Sequence, residues 1–358
     1  PARNAKLPRS ALPVYKRQRF PDPLLGEHSD PGETVFENDS IRLWHDGDDI
    51  AVASFKTKLH TVNVKVLDGL QEAIGIAERD FRGMVIWQPG EPFSAGADLA
   101  GALSLLQAGD GHAPDIVGFE AMVANFQATS QRIKYSLVPV VAAVRGLALG
   151  GGCEFQMHSA RTVAHLESYI GLVEAGVGLL PAGGGLKELA VRASQAAGPG
   201  GDVFAQLKQV FETIAMAKVG TSAVEAKDLG LLRAGDVVAF NAFELLHIAR
   251  QQALALAESG YRPPLPARRI QVAGDVGIAT FKMLLVNMLE GRFISSHDYE
   301  IATRIATVLC GGEVDRGSLV DEEWLLKLER EHFVALAQMP KTQERIAHML
   351  KTGKPLRN

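Results

Sequence analysis

The chain has 358 residues, room for about two domains at roughly 150 residues each. With 47% hydrophobic and 22% charged residues it has ordinary globular composition, and 37 Lys+Arg against 41 Asp+Glu leave a formal net charge of −4, so no basic excess points to nucleic acid. The longest stretch free of Asp, Glu, Lys and Arg, Ala175–Leu186, is too short for a membrane span, and two cysteines, Cys153 and Cys310, exclude a disulfide framework and fit a reducing cytoplasm.

Residues 1–39 read as a linker or arm. Pro1, Pro8, Pro13, Pro21, Pro23 and Pro31 remove backbone donors and bias their neighbours away from helix, and Lys16-Arg17-Gln18-Arg19 reads as a solvated basic cluster. The opening Pro-Ala-Arg, with no Met and no signal-peptide pattern, reads as a cut end within a longer protein. From about residue 40, Ile41–Trp44 and Ile50–Phe55 flank the turn Asp46-Gly47-Asp48-Asp49, a hairpin signal. Val64–Arg79 carries Val66, Leu70, Ala73 and Ile74 near helical spacing, and Gly83–Trp87 reads as a short strand ending at Pro89-Gly90. A helix is expected over about 114–134, a buried strand over Val138–Val144, and then a glycine-rich turn into another helix. Strand–turn–helix units repeated in this way argue for α/β layers with parallel pairing over 40–235.

Residues 236–358 read as mostly helical, with Phe243–Ser259, Val276–Glu290, Tyr299–Val308, Glu322–Ala337 and Pro340–Lys351 as the elements and Arg262–Pro266 as a connector. Ser318-Leu319-Val320-Asp321 has the spacing of a capping box ahead of Glu322, and Pro340 suits a first helical turn. Lys341, Arg345, His348 and Lys351 make one side of the last helix basic, expected as an exposed face.

Two segments combine strand, glycine turn and helix start: Phe93-Ser94-Ala95-Gly96-Ala97-Asp98-Leu99 and Arg145-Gly146-Leu147-Ala148-Leu149-Gly150-Gly151-Gly152-Cys153-Glu154. Glycine lets a ligand approach the backbone closely, and the first N–H groups of a helix lack intrahelical partners. Two such turns face to face could offer two donors to one oxygen, the requirement of an oxyanion hole. The other candidates fade: the histidines show no metal-ligand spacing, Cys153 reads as a packing residue, and there is no dinucleotide or Walker-type glycine loop.

A third segment, Tyr169–Gly185, completes the pattern, and the three in this order resemble the enoyl-CoA hydratase/isomerase (crotonase) superfamily over roughly residues 40–235. The resemblance implies an α/β crotonase (ClpP/crotonase-like) fold of repeated ββα units with a helical C-terminal extension. It implies Ala97 and Gly151 as oxyanion-hole N–H donors and Glu154 and Glu174 as the catalytic pair, Glu154 activating water and Glu174 giving a proton to C2. It further implies coenzyme A and substrate contacts at Lys58, His60, Thr61, Ala95, Gly96, Asp98, Leu99 and Gly150, with no metal and no cofactor beyond the coenzyme A of the substrate. Adding water to an unsaturated thioester builds charge on the thioester oxygen, needs a base for water and an acid for C2, and two crowded carboxyls divide those roles as their proton affinities separate. Both glutamates being present favours a hydratase of fatty-acid β-oxidation over a Δ3-Δ2 enoyl-CoA isomerase or a non-catalytic acyl-CoA-binding scaffold. The tail is similar to that of bacterial multifunctional fatty-acid oxidation proteins, in which a 3-hydroxyacyl-CoA dehydrogenase precedes the hydratase; the chain then reads as the hydratase part. The same resemblance implies a homo-oligomer, a trimer or hexamer, and a thiolase partner, with no nucleic acid and no membrane span.

Overall fold

The computed structural model describes residues 32–107 and 114–358. The expected basic cluster Lys16–Arg19 and the prolines before it lie outside the described residues. The sheet begins earlier than the sequence suggests: β1 (Glu33–Glu37) lies within the segment read as an arm and pairs antiparallel with β2 (Ile41–His45), which pairs antiparallel with β3 (Ile50–Phe55) across the Asp46–Asp49 turn. β1 is a mostly exposed edge with Glu at both ends, so it carries little apolar signal.

Helix α1 (Val64–Asp80) starts where the Asn63 side chain accepts the Val66 N–H, and its stripe Val66, Leu70, Ala73, Ala77 is buried. β4 (Gly83–Trp87) then enters parallel to β3. After α2 (Leu99–Leu106) and α3 (Ile116–Lys134), β5 (Val140–Leu149) runs parallel to β4. Arg145–Leu149, expected to be part of a turn, is therefore strand. Gly146, at φ +66°, absorbs a register shift against the next strand and pairing resumes beyond it, so the turn is confined to Gly150. Helix α4 (Gly151–His158) leads back to β6 (Arg161–Gly171), parallel to β5.

Strand β6 has no counterpart among the sequence expectations, because its outer positions include His165 and Glu167, which interrupt the apolar run. After α5 (Gly185–Ala197) and α6 (Val203–Ala215), β7 (Val219–Gly220) pairs with the end of β6. Beyond α7 (Ala223–Asp228), β8 (Val237–Ala239) pairs with its start. Among the described residues the result is a mixed eight-stranded sheet with a parallel centre.

The centre of the sheet is buried on both faces, and side-chain alternation assigns neighbours to opposite cores. Met84, Ile86, Ala142 and Val144 join the large core with α1 and α3, whereas Val85, Val141 and Ala143 join a smaller one with Leu245, Ala249 and Ala253 of α8 (Leu245–Glu258). Helix α8, which falls in the segment read as a C-terminal region, thus covers one face of the central sheet.

The remaining chain also contains short strands. β9 (Ile270–Gln271) precedes α9 (Gly274–Glu290) and α10 (Ser296–Leu309), and pairs with β10 (Leu319–Val320) ahead of α11 (Glu322–Ala337) and α12 (Pro340–Thr352). The expected capping box at Ser318 is not formed, because Leu319–Val320 are strand and Asp321 caps α11 through Trp324 N–H; a capping box occurs instead at Ser295 and Asp298. Arg345, expected on an exposed basic face, is 1% exposed and paired with Asp298 at 2.8 Å. Among the described residues no helix is long and apolar enough to cross a membrane.

Candidate active site

A cavity of about 590 Å³ opens beside the C-terminal ends of β4 and β5, where loops of a parallel sheet converge. One wall is the chain after β4. Ser94 lies alongside β5, donating its N–H to Leu147 and receiving that of Leu149. Three residues on, Val62 donates to the Gly96 carbonyl (2.9 Å) and accepts from Asp98 N–H (3.0 Å), a single parallel bridge centred on Ala97. In such a bridge the central residue's own N–H points away from its partner, so that of Ala97 is turned from Val62.

The second wall is the Gly150 turn. Gly150 has φ +50° and donates to Gly171, leaving Gly151 as the first residue of α4. Among the described residues neither the Ala97 nor the Gly151 N–H donates to a protein acceptor. The two segments are in close contact: a methyl built on Gly96 (φ +95°) would stand 2.9 Å from the Leu149 oxygen and 3.6 Å from the Gly151 nitrogen. On the other side of Gly151, the Phe126 ring would lie 2.3 Å from any added Cβ, so glycine is required there.

Glu154 follows within the first turn of α4 and is 3% exposed. Its Oε1 accepts the N–H groups of Gly183 (2.7 Å) and Gly185 (2.8 Å) at the start of α5. Burial pushes its carboxyl up to about 7, against the pull of those N–H groups and of the Lys187 charge. Glu174 opens a 3-10 turn, Glu174–Val177, and its Oε1 would lie 3.0 Å from a Cβ on Gly150. Among the described residues its Oε2 is buried without a partner, and burial together with the Glu154 charge holds its carboxyl well above the usual range. The site therefore holds two unlike carboxyls, both raised by burial, with the Glu154 charge adding to the shift on Glu174.

Of the other residues singled out in the sequence, Ala95, Gly96, Asp98, Leu99 and Gly150 line the cavity. The Asp98 carboxylate is occupied in capping α2 through Ala100 and Gly101 N–H, and the Ala95 N–H is taken by Leu59. Lys58, His60 and Thr61 do not line it. Lys58 is exposed, His60 Nδ1 lies 2.6 Å from the Pro92 carbonyl, and Thr61 donates its hydroxyl to the Lys58 carbonyl; the cavity begins one residue later, at Val62. Cys153 is fully buried, and burial raises its thiol, as a packing residue requires.

Several lining residues were not singled out. Phe126 and Met122 of α3, Phe333 of α11, and Met349 and Pro355 at the C-terminal side bring an apolar surface to the two carboxyls. Apolar residues at helical spacing carry no local mark that separates a cavity wall from a core. Behind the cavity lies a charged network with no exposed member: Lys187 Nζ reaches Glu188 (3.1 Å), Glu322 (3.1 Å), Gln131 (2.9 Å) and His158 Nε2 (3.0 Å), and Lys134 reaches Glu188 at 2.8 Å. Burial and the Lys187 charge push His158 down to about 3, and its Nδ1 lies 2.7 Å from the Glu154 carbonyl. A neutral ring donating there and accepting from Lys187 satisfies both contacts.

Comparison with known proteins bears on these observations. A family model described as enoyl-CoA hydratase/isomerase matches residues 48–259. A probable 3-hydroxyacyl-CoA dehydrogenase of Bacillus subtilis is 39% identical over 324 residues, covering 90% of this chain and 40% of that protein. A putative fatty acid oxidation complex trifunctional enzyme of Rickettsia felis is 30% identical over 360 residues, covering 98% of this chain and 45% of that one. The chain thus spans less than half the length of these curated relatives. Among solved structures, an enoyl-CoA hydratase from Bacillus halodurans superposes with a TM-score of 0.57 at 17% identity, covering 86% of this chain and 99% of that chain, a likeness of fold.

Proposed function

The chain belongs to the enoyl-CoA hydratase/isomerase family, with the crotonase fold, and from that premise we propose that it catalyses the reversible hydration of a trans-2-enoyl-CoA to a 3-hydroxyacyl-CoA. The observation that carries this reading is the pair of buried carboxyls on one cavity. Glu154 is held by two N–H groups with its carboxyl pushed up to about 7, while burial and the Glu154 charge favour the protonated form of Glu174, whose Oε2 has no partner among the described residues. An isomerase moving one proton needs a single such group.

In the proposed reaction the thioester oxygen lies between the N–H groups of Ala97 and Gly151, which stabilise the enolate-like charge; losing one such donor typically costs about 10²–10³ in rate. Glu154 takes a proton from water as its oxygen bonds to C3, and the C2–C3 double-bond electrons move to the thioester. Glu174 then gives its proton to C2. After product leaves, the proton on Glu154 returns to Glu174 through solvent in the cavity, which restores the starting state. Coenzyme A enters as part of the substrate, and the step uses no further cofactor. The names of the two longer relatives support a place in fatty-acid oxidation within a multifunctional protein, and a thiolase partner and a trimeric or hexameric assembly belong to the same proposal.

The test follows loss of the conjugated thioester absorbance of a short and a long trans-2-enoyl-CoA, with Glu154→Gln and Glu174→Gln alongside. Turnover that falls in both variants supports the hydratase. Conversion of 3-enoyl-CoA that needs Glu174 alone would make the chain an isomerase, and tight binding without turnover would make it a scaffold.

A further inference from the structure

A third carboxyl reaches the same site from α11. Glu329 is fully buried and takes the N–H groups that Glu154 leaves at the start of α5: Oε2 accepts from Gly184 (3.0 Å) and Oε1 from Lys187 (2.5 Å). Four successive or near-successive N–H groups are therefore shared alternately, those of Gly183 and Gly185 by Glu154 and those of Gly184 and Lys187 by Glu329. Helix starts leave such donors unpaired and favour negative charge, so the turn clamps both carboxyls.

Building on the hydratase reading, we propose that Glu329 is a positioning residue for the site: it locks the Gly183–Gly185 turn that holds Glu154, and its charge, once formed, keeps the proton on Glu174.

The groups facing it come from several elements. Glu154 on α4, Glu174 on the 3-10 turn and Lys187 on α5 act on it or are acted on through their charges. From α3 it meets Gln127 (3.4 Å), whose Oε1 accepts from Arg330 (2.7 Å) on its own helix, and Glu120 pairs with Arg330. Arg304 of α10 turns to His332 instead. Lys187 is already shared with Glu188 and Glu322, leaving the three carboxyls short of positive charge. Burial and the Glu154 charge push Glu329 up to about 8, and burial with the Glu154 and Glu329 charges holds Glu174 well above the usual carboxylate range. The charge on Glu329 opposes ionisation of Glu174 and so sustains the proton donor toward alkaline pH.

The test is the pH profile of kcat for enoyl-CoA hydration in the wild type, Glu329→Gln and Glu329→Asp. Gln cannot ionise, and its single oxygen can accept only one of the Gly184 and Lys187 N–H groups, so kcat falls as half of the clamp is lost and the alkaline limb moves down by on the order of one pH unit. Asp keeps the charge and moves the alkaline limb back toward the wild type. A uniform loss of kcat with both limbs unmoved in Gln, or Asp behaving as Gln, overturns the inference. Infrared difference spectra decide it without turnover: the wild type shows a protonated-carboxyl band at pH 7 that falls toward pH 9, smaller in Gln. Equal bands in the two proteins, or a wild-type band unchanged between pH 7 and 9 should Gln not fold, overturn it as well. A wild type that fails to hydrate enoyl-CoA removes the proposed reaction and leaves the infrared result to judge Glu329.

Discussion

Replacing Glu154 by Gln should raise stability at alkaline pH while removing activity. Gln is isosteric, and its Oε1 can still accept both Gly183 and Gly185 N–H groups, so the turn keeps its partners. What is lost is an ionisable group whose proton affinity is higher in the folded state, at about 7 against a reference of 4.5. A raised carboxyl favours the fold while it is protonated in both states, below about pH 4.5, and that advantage drains away as pH rises through about 7. At 1.36 kcal/mol per unit the full change is about 3 kcal/mol, a ceiling because the amide must find its own partner in the cavity. Urea unfolding of the wild type and Glu154→Gln at pH 5 and pH 8 measures it. The variant should gain on the wild type by up to about 3 kcal/mol between the two pH values, while hydration falls on the order of 10²–10⁴-fold, the contribution of a positioned acid or base. An equal stability difference at both pH values would refute the assignment of a buried, strained carboxylate to Glu154.

Gly96→Ala introduces a side chain at φ +95° with its Cβ 2.9 Å from the Leu149 oxygen, so the segment must move away from Gly151; hydration should fall about 10²–10³-fold with the circular dichroism spectrum unchanged. Phe333→Ala removes a ring that lines the cavity and stacks on Phe119 at 5.7 Å, and should shift kcat/KM toward the longer of two enoyl-CoA substrates by on the order of tenfold. Arg345→Met leaves the partly buried Asp298 without its partner and should cost about 3–5 kcal/mol in urea unfolding, with Asp298→Asn in the same background recovering part of the loss.

Much of the site was legible because its chemistry is carried by short contiguous segments. The glycines at 96 and 150–152 mark where the backbone must turn sharply and pack closely, and each has Ala97, Gly151 or Glu154 within two residues. The continuous apolar strands at 83–87 and 140–144 read directly, since a strand covered on both faces needs no alternation. β6 was lost because polar residues break its run, and β1 because an exposed edge strand buries almost nothing. Lys58, His60 and Thr61 stand just outside the cavity, whose wall starts at Val62. Glu329 was hidden in Leu328-Glu329-Arg330-Glu331, which looks like a solvated helix face. Its signal is positional: it shares a helical face with Glu322, Leu325 and Leu336, all buried, so an acid stands where an apolar residue would be expected. Recognising it needs the partner that lies 145 residues away.

That separation has a consequence for the order in which the protein is made. A ribosome adds about 5–20 residues per second, so the stretch from Glu154 to Glu329 takes roughly ten to thirty seconds to follow it out. Until then Lys187 lacks Glu322, the Gly183–Gly185 turn is half clamped, and the apolar cavity lacks Phe333 and Met349. The nascent chain thus exposes Glu154 and Glu174 on an unfinished, sticky surface, and the cavity can be completed only after synthesis has passed α11.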